Sequence, residues 1–252
     1  MAVPTAFAQG VDLSKWNVSY DPSKKRVDFC IIKASDGTAR DPAFNKLLSE
    51  ASPVSVKGAY HYYRSGVAWQ TQADNFLAAV NGLPVHVLAI DYEHINNVLT
   101  KATDDALKLI LAYVAAESGK KVLLYTQYNM IVGEMPSRGS AWVKTYNALW
   151  VARWFERNYY YTTATSPGIT NWKCWQYGGD YHTSTWSVPG YKQGAEYGVE
   201  NDSIDLNAYN GTLADMKTWL GVVEEPLPPL EPEPTLEEQV SLLWAAHPEL
   251  HP

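Results

Sequence analysis

The stretch HVLAIDYEH, residues 86–94, is an apolar run that ends in two carboxylates, Asp91 and Glu93. A short apolar run of this kind is typical of a buried strand. Because side chains alternate along a strand, residues two apart point to the same face, with Cα atoms about 6.5–7 Å apart. The sequence therefore predicts a buried strand whose end presents two acids side by side.

Strand-like and helix-like segments alternate on both sides of this stretch. The pattern predicts strands over residues 9–13, 27–34, 56–62, 86–92, 121–126, 148–153, 172–177 and 203–206. Helices are expected near residues 42–52, 69–81, 102–119 and 127–133, the third of them capped by Thr103. About eight strands alternating with helices favour an α/β fold, namely an irregular (β/α) barrel that is similar to a TIM barrel, with few helices in its second half.

Asp12 and Asp205 also lie at the ends of predicted strands, the first and the last along the chain. An acid at a strand end is most often a turn or helix cap, and an isolated D-x-E pair could also bind a cation. Barrel closure, however, brings the first and last strands together, and barrel enzymes place catalytic groups at the carboxyl ends of their strands. Four such acids therefore predict an acidic site at one mouth of the barrel.

Two neighbouring carboxylates suit one kind of chemistry in particular. Each raises the pKa of the other, so that one group stays protonated while its partner is charged. Glycoside hydrolysis requires a protonated acid for the leaving oxygen and an ionised group facing the developing positive charge. The pair formed by Asp91 and Glu93 is therefore interpreted as a candidate glycosidase pair.

Aromatic residues are abundant, with 10 Trp and 17 Tyr against 5 Phe in 252 residues. A Trp-rich core would produce the same composition. Several aromatic rings nevertheless end the predicted strands, namely Tyr60, His61, Tyr62, Tyr125, Trp150 and 175–177. Rings with an apolar face and a polar edge stack well on sugars, so an acidic cleft rimmed by them suits a neutral polysaccharide chain.

Eight motifs occur in an order that resembles the glycoside hydrolase family 25 lysozymes, the Chalaropsis-type N-acetylmuramidases. They are GVDLSKW, IIKASDG, GAYHYY, AIDYE, LLYT, LWVARW, CWQYG and IDLNAYNG, within residues 9–220. The resemblance implies an irregular α/β barrel. It also implies cleavage of the β-1,4 bond between N-acetylmuramic acid and N-acetylglucosamine in bacterial peptidoglycan.

The resemblance assigns roles by motif. Glu93 resembles the general acid, and Asp91 resembles a partner that orients the substrate N-acetyl group or stabilises the oxocarbenium-like state. Asp12 and Asp205 resemble two further acids of the catalytic site. The substrate contacts expected on the same basis are Tyr62, Tyr125, Trp175, Gln176 and His61, although a core position fits His61 equally well. Trp150 is also expected to contact substrate, because it ends a predicted strand at the rim of the cleft. Attack by the substrate acetamide and attack by water both fit the spacing.

Two other functions compete with this interpretation. A chitinase-like barrel also has a strand that ends in D-Y-E, but it carries a further Asp two residues before that motif, where this chain has Ala89. A non-catalytic glycan-binding module would keep the cleft, although all four carboxylates are present here. No CxxC or His-rich spacing suggests a metal site, and no cofactor is expected. Cys30 and Cys174 are predicted to be buried thiols, with a bridge between them left open.

The net charge of −7 is carried by the C-terminal segment, which holds seven acids and no Lys or Arg. Residues 1–222 form the predicted catalytic barrel and are formally neutral, which argues against nucleic-acid or membrane binding. Residues 223–234 are rich in Pro and Glu and are expected to form an extended linker. Residues 235–252 are predicted to form a short amphipathic helix that docks on itself or on a partner through Leu236, Val240, Leu243 and Trp244.

The N-terminal sequence MAVPTAFAQG lacks the basic region and the long apolar region of a signal peptide. Together with the resemblance, this favours a phage endolysin that stays in the host cytoplasm until it is released to the cell wall. The site chemistry and the proposed route of delivery are thus separate predictions.

Overall fold

The computed structural model of the chain describes residues 7–17, 19–155 and 167–222. It contains nine strands within these ranges: β1 (Gln9–Leu13), β2 (Phe29–Asp36), β3 (Ala39–Arg40), β4 (Val56–Tyr62), β5 (Val87–Asp91), β6 (Lys121–Gln127), β7 (Leu149–Ala152), β8 (Trp172–Gly178) and β9 (Asp205–Tyr209). The predicted linker 223–234 and the predicted C-terminal helix 235–252, with its four apolar docking residues, lie outside the described residues. Their roles stay predictions.

Eight of these strands close into a barrel. Neighbours follow the order β1-β2-β4-β5-β6-β7-β8-β9, and pairing between β9 and β1 completes the ring, while β3 pairs with β2 alone. Every neighbouring pair in the ring is parallel except those of β9, which runs antiparallel to both β8 and β1. The predicted α/β barrel of about eight strands is confirmed, with one strand reversed.

The reversal of β9 changes how Asp205 reaches the site. The sequence interpretation places Asp205 at the end of a strand, whereas it is the first residue of β9. Because β9 is antiparallel, its first residue lies at the same barrel mouth as the carboxyl ends of the other strands. Asp205 therefore lies at the predicted mouth of the barrel, but at the beginning of its strand rather than at the end.

Five α-helices lie within the described residues: α1 (Phe44–Glu50), α2 (Trp69–Val80), α3 (Lys101–Ser118), α4 (Met135–Ser137) and α5 (Leu213–Leu220). The helix expected near residues 127–133 is a π-helical turn, Met130–Glu134, that runs into α4. None of the described helices has both the length and the apolar character needed to cross a membrane.

The N-terminal cap of α3 differs from the prediction by one helical turn. Thr100 is the cap residue, and its hydroxyl accepts a hydrogen bond from the backbone N–H of Thr103. The Thr103 hydroxyl in turn accepts one from the backbone N–H of Thr100, at 2.8 Å. The two threonines thus form a reciprocal capping box, and Thr103 is its third helical residue rather than the cap.

Apolar side chains form two layers separated by the barrel wall. The inner layer fills the barrel with residues such as Phe29, Ile31 and Leu123, and Met216 of α5 packs against it. The outer layer joins the strands to α1, α2 and α3. Cys30 belongs to the outer layer and Cys174 to the inner one, and both are free buried thiols, as predicted, with no bridge between them.

A buried ion pair fixes the start of α3 beneath the D-Y-E motif. The fully buried Asp104 carboxylate accepts hydrogen bonds from Nε and Nη2 of Arg138, both at 3.0 Å. It also accepts one from the Tyr92 hydroxyl at 2.7 Å. Tyr92 stands between Asp91 and Glu93, so this ion pair supports the strand end that carries both acids.

We expect Asp104→Ala to lower the free energy of unfolding by about 3 kcal/mol, because it leaves a guanidinium and a buried hydroxyl without their acceptor. Urea denaturation at neutral pH measures this change. The matched control is Asp105→Ala, whose side chain is 54% exposed and pairs with Lys101 on the helix surface. The control should lose less than about 0.5 kcal/mol. Equal losses in the two variants would contradict the supporting role of Asp104.

Candidate active site

The four predicted catalytic acids meet at one mouth of the barrel. Asp12 lies on β1, Asp91 ends β5, Glu93 follows two residues later, and Asp205 begins β9. They line a small cavity of about 90 Å³ whose other lining residues are Tyr60, Tyr125, Trp150 and Gln176. The structure therefore brings together all four acids and three of the six predicted substrate contacts.

Asp12 and Asp205 face each other across the antiparallel pair of β1 and β9, where they are direct register partners. Like charges at such positions repel each other. Burial raises the pKa of Asp12 to about 6 and outweighs the two hydrogen bonds that its carboxylate accepts. Burial, followed by the charge of Asp12, raises the pKa of Asp205 well above its usual value. Both groups therefore hold protons more tightly than exposed aspartates.

Two buried amides hold the Asp12 carboxylate. Its Oδ2 accepts hydrogen bonds from Nδ2 of Asn207 at 2.7 Å and from Nε2 of Gln176 at 3.0 Å. The amide oxygens are in turn bound by ring donors: Trp150 Nε1 donates to Asn207 Oδ1 at 2.7 Å, and the Tyr125 hydroxyl donates to Gln176 Oε1 at 2.8 Å. These ring donors orient both amides with their NH₂ groups toward the carboxylate.

The Asp91 and Glu93 carboxyl groups hydrogen-bond to each other. Burial, and then the charge of Glu93, raises the pKa of Asp91 well above its usual value. Burial also raises the pKa of Glu93, but hydrogen bonds from Asp91 and Gln127 oppose that rise. The pair therefore shares a proton, and the hydrogen bond between the two groups favours its position on Asp91.

Oδ1 of Asp91 is buried and has no hydrogen-bond partner among the described residues. A buried oxygen without a donor is costly, by about 1–3 kcal/mol. Because Asp91 lines the small cavity, a donor on a bound ligand can satisfy this oxygen.

A wider cleft of about 640 Å³ opens from the small cavity. Glu93, Tyr125, Gln176 and Asp205 line both spaces. The cleft is completed by Ile95, Gln127, Tyr128, Asn129, Ala152, Arg153 and Trp154. Glu93 is only partly buried and stands where the two spaces join, so its carboxyl group can reach a ligand lying in the open cleft.

The loop that follows Glu93 is anchored by hydrogen bonds. Asn97 Nδ2 donates to the carbonyl oxygens of Glu93, at 3.0 Å, and Tyr63, at 2.9 Å. Tyr62 donates its hydroxyl to the Ile95 carbonyl at 2.6 Å. Tyr62, a predicted substrate contact, is absent from the residues that line the two spaces; it holds the loop of the general-acid candidate instead.

Two predicted substrate contacts lie away from the cleft. His61 is buried between β4 and α2, where it hydrogen-bonds to Ser35 Oγ at 2.8 Å and to Gln72 Oε1 at 3.0 Å. Trp175 is fully buried in the outer layer, and its indole N–H donates to the Arg153 carbonyl. Strand alternation turns Tyr60 and Gln176 into the barrel and these two neighbours out of it. The substrate contact predicted for Trp175 is therefore corrected, and His61 takes the core position that the sequence left open.

Sequence reasoning missed Asn207, which holds the Asp12 carboxylate, and Trp154, which lines the cleft. Asn207 lies two residues beyond Asp205 and therefore on the same face of β9, which is a signal that alternation alone could have provided. Trp154 follows β7 in the motif LWVARW, and its indole N–H donates to Gln176 Oε1 at 3.1 Å. That contact joins residues 22 positions apart, and local sequence patterns do not encode it.

The raised pKa values predict how stability depends on pH. A carboxyl group whose pKa is higher in the folded than in the unfolded state stabilises the protein below its unfolded value and loses that contribution as pH rises through its folded value. For Asp12 the window runs from 3.8 to about 6. We therefore expect the wild-type Tm to fall as pH rises through this window.

Asp12→Asn keeps the shape and an acceptor oxygen but removes the titration. From the lower to the upper end of this pH window, the unfolding free energy of the variant minus that of the wild type should increase by about 2–3 kcal/mol. Thermal melts at pH 4 and pH 7 measure the effect. The control is Asp202→Asn, at an exposed position. A pH-independent difference for Asp12→Asn would overturn the assignment of its raised pKa.

The sequence matches the family described as "Glycosyl hydrolases family 25" over residues 11–186. A curated relative, "Uncharacterized protein YegX" from Escherichia coli O157:H7, is 26% identical over 238 residues, which span 88% of this chain and 77% of that protein. YegX from strain K12 is 25% identical with the same coverage. The family match covers β1 to β8 and includes three of the four acids.

Solved structures share the fold. A family 25 glycosyl hydrolase from Bacillus anthracis superposes with a TM-score of 0.62 at 20% identity and covers 86% of this chain and 95% of that one. The catalytic domain of endolysin ply40 from Listeria monocytogenes phage P40 gives 0.62 at 21%, covering 86% and 98%. A bacterial lysozyme from Streptomyces coelicolor gives 0.59 at 24%, covering 84% and 95%. At these identities the likeness establishes the barrel fold.

Proposed function

This chain belongs to glycosyl hydrolase family 25 and is thus a glycoside hydrolase, and from that premise we propose that it cleaves peptidoglycan as a muramidase. The bond is the β-1,4 linkage between N-acetylmuramic acid and N-acetylglucosamine. The observation that carries the proposal is the convergence of Asp12, Asp91, Glu93 and Asp205 on one cavity that opens into a cleft. The lysozyme and endolysin among the similar structures support the same substrate.

Glu93 acts as the general acid in this proposal. It stands at the junction of cavity and cleft, so it can pass the proton that it shares with Asp91 to a glycosidic oxygen in the cleft. As that proton moves to the leaving oxygen, the C–O bond breaks and positive charge develops at the anomeric carbon. The proton that rests on Asp91 reaches Glu93 through the hydrogen bond between the two carboxyl groups.

Asp91 becomes charged once its proton has moved to Glu93. Its negative charge then faces the developing positive charge in a buried site, where electrostatic interactions are strong. Its unpartnered Oδ1 is available to accept the N–H of the substrate acetamide. Attack by the acetamide oxygen retains the anomeric configuration and direct attack by water inverts it, so the anomer of the first product separates these routes.

Asp12 adds negative potential to the cavity above its pKa of about 6, and Asp205 beside it keeps its proton more tightly. Asn207 and Gln176 hold Asp12 in one position, so its carboxylate is preorganised and needs no rearrangement during the reaction. Tyr125 and Trp150 form the apolar wall, with ring centroids 4.7 Å apart. This wall excludes water from the acids and strengthens their interactions.

A chitinase-like activity and a non-catalytic glycan-binding module are the competing functions. In this chain the residue two before Asp91 is Ala89, which packs in the inner layer and supplies no carboxyl group. The convergence of four carboxyl groups on one cavity favours catalysis over binding alone, because holding like charges together is costly and a binding module gains nothing from it.

Digestion of purified peptidoglycan tests the proposal. Products are reduced with borohydride and analysed by mass spectrometry, and we expect reduced N-acetylmuramic acid at the new ends. Reduced N-acetylglucosamine there would refute muramidase action. Comparable turnover of soluble chitin oligomers would favour the chitinase-like function, and absence of any new reducing end would favour the binding module.

Delivery by the endolysin route stays a prediction. It is supported by the likeness of the barrel to the catalytic domain of a phage endolysin. Expression of the chain in host cells tests it: lysis should require a co-expressed membrane pore. Lysis without that pore would contradict this route.

A further inference from the structure

The segment between β8 and β9 presents aromatic rings to solvent beside the cleft. Tyr181 is 45% exposed and Trp154, at the end of β7, is 37% exposed. Their ring centroids lie 6.4 Å apart, and Trp186 continues the series at 5.4 Å from Tyr181. We call Trp154, Tyr181 and Trp186 the aromatic track. Trp186 is only partly exposed, but a row that begins with two large exposed rings is typical of binding surfaces rather than of cores.

The aromatic track begins at the catalytic cleft itself. Trp154 lines the cleft and donates its indole N–H to Gln176, the residue that holds Asp12. The backbone at Gly179 passes so close to Asp205 and Trp154 that a Cβ there would overlap the Asp205 carboxylate and lie 2.9 Å from the Trp154 ring. The first ring of the track is therefore continuous with the acid site.

Backbone hydrogen bonds hold the outer rings in place. The Val188 N–H donates to the Tyr181 carbonyl at 3.1 Å, and the Thr183 N–H donates to the Trp186 carbonyl at 2.7 Å. His182 pairs with Ser187 between them. This short antiparallel turn presents Tyr181 and Trp186 without burying them, so little ordering is needed when a ligand binds.

We propose that the aromatic track binds the glycan strand beyond the cleaved bond, as a run of distal sugar sites. The proposal rests on the muramidase function and extends it to long strands. Pyranose rings offer apolar C–H faces that pack on aromatic faces. Successive rings of the track are tilted by 48° and 54°, which suits the successive sugars of a twisted chain.

Binding measurements in a Glu93→Gln background test the track without hydrolysis. Isothermal titration compares a peptide-free tetrasaccharide with much longer peptidoglycan glycan strands. Tyr181→Ala and Trp186→Ala should each weaken binding of the long strands by about 10-fold and leave tetrasaccharide binding within about twofold. Tyr181→Phe and Trp186→Phe keep the rings and should restore the affinity. Leu109→Ala, an exposed apolar residue on α3, is the control and should change neither ligand.

The same substitutions in the active enzyme provide a kinetic readout. Tyr181→Ala should raise KM for long strands and leave kcat unchanged, because the ring contacts substrate far from the reacting bond. If the alanine substitutions changed the binding of long and short ligands equally, or changed neither, the proposed role of the aromatic track would be wrong. The proposed muramidase function would not be affected by that result. If the wild type hydrolyses no glycan but Tyr181→Ala still weakens long-strand binding, the muramidase function fails and the track stands.

Discussion

Glu93→Gln is expected to slow the release of reducing ends from peptidoglycan by at least about 1000-fold, with no loss of folded protein. A positioned general acid contributes about 10²–10⁴-fold to a rate. The amide has nearly the shape of the acid and can still hydrogen-bond to Asp91, but it cannot transfer a proton to the glycosidic oxygen. Initial rates on purified peptidoglycan, together with thermal melts, measure both parts of the expectation.

Glu117→Gln is the matched control for this substitution. Glu117 is an exposed glutamate near the end of α3, away from the barrel mouth, and the same chemical change there should leave the rate within about twofold. If Glu93→Gln released reducing ends at a near-native rate, another group would have to supply the proton and the assignment of Glu93 would fail. Because the substitution leaves the aromatic track untouched, long glycan strands should still bind to the inactive variant.

The sequence predicted the acid site well because strand alternation is a local property. Asp91 and Glu93 follow one apolar run, and their shared face needs no knowledge of the rest of the chain. Asp12 and Asp205 required one further step, the closure of the barrel, which the count of strands already indicated. The site was therefore predictable as far as its acids, since each acid is placed by the strand that carries it or that precedes it.

The direction of β9 was not predictable from the acids alone. Parallel neighbours need a long crossover connection, usually a helix, and the segment between β8 and β9 contains one 3₁₀ turn, Gly194–Tyr197, and no α-helix. That absence of helical pattern was visible in the sequence. The antiparallel direction of β9 follows from that absence, whereas the acids alone carry no information about strand direction.

Aromatic side chains were harder to place than acids. The motif CWQYG has rings on both faces of β8, and only barrel closure decides that Gln176 points inward and Trp175 outward. Local shifts in register, such as the one between Gln176 and Gly178, further disturb a simple count. The position of His61 was also ambiguous, because an imidazole suits both a buried hydrogen-bond network and a sugar site.

Asp91→Asn is expected to lower the hydrolytic rate by about 10²–10³-fold and at the same time to raise the stability of the protein at alkaline pH. The loss of rate follows from the loss of the shared proton and of the charge that faces the developing cation. The gain in stability follows from burial, which raises the pKa of Asp91 and makes its ionisation in the folded state unfavourable.

The stability of Asp91→Asn relative to the wild type depends on pH. A group with a raised folded pKa stabilises the wild type at low pH and loses this contribution as pH rises, whereas asparagine does not titrate. The Tm of Asp91→Asn relative to wild type should therefore increase from pH 5 to pH 8. Calorimetry at the two values measures this difference, and Asp105→Asn on the surface of α3 should give none.

Opposite signs for activity and stability separate a catalytic role from a structural one. Removing an acid that merely holds the fold, such as Asp104, should lower stability, and any loss of rate should follow from unfolding. Removing Asp91 should lower the rate in a protein that is at least as stable at pH 8. A destabilised Asp91→Asn variant, or one with a near-native rate, would contradict the proposal that burial strains this carboxyl group for catalysis.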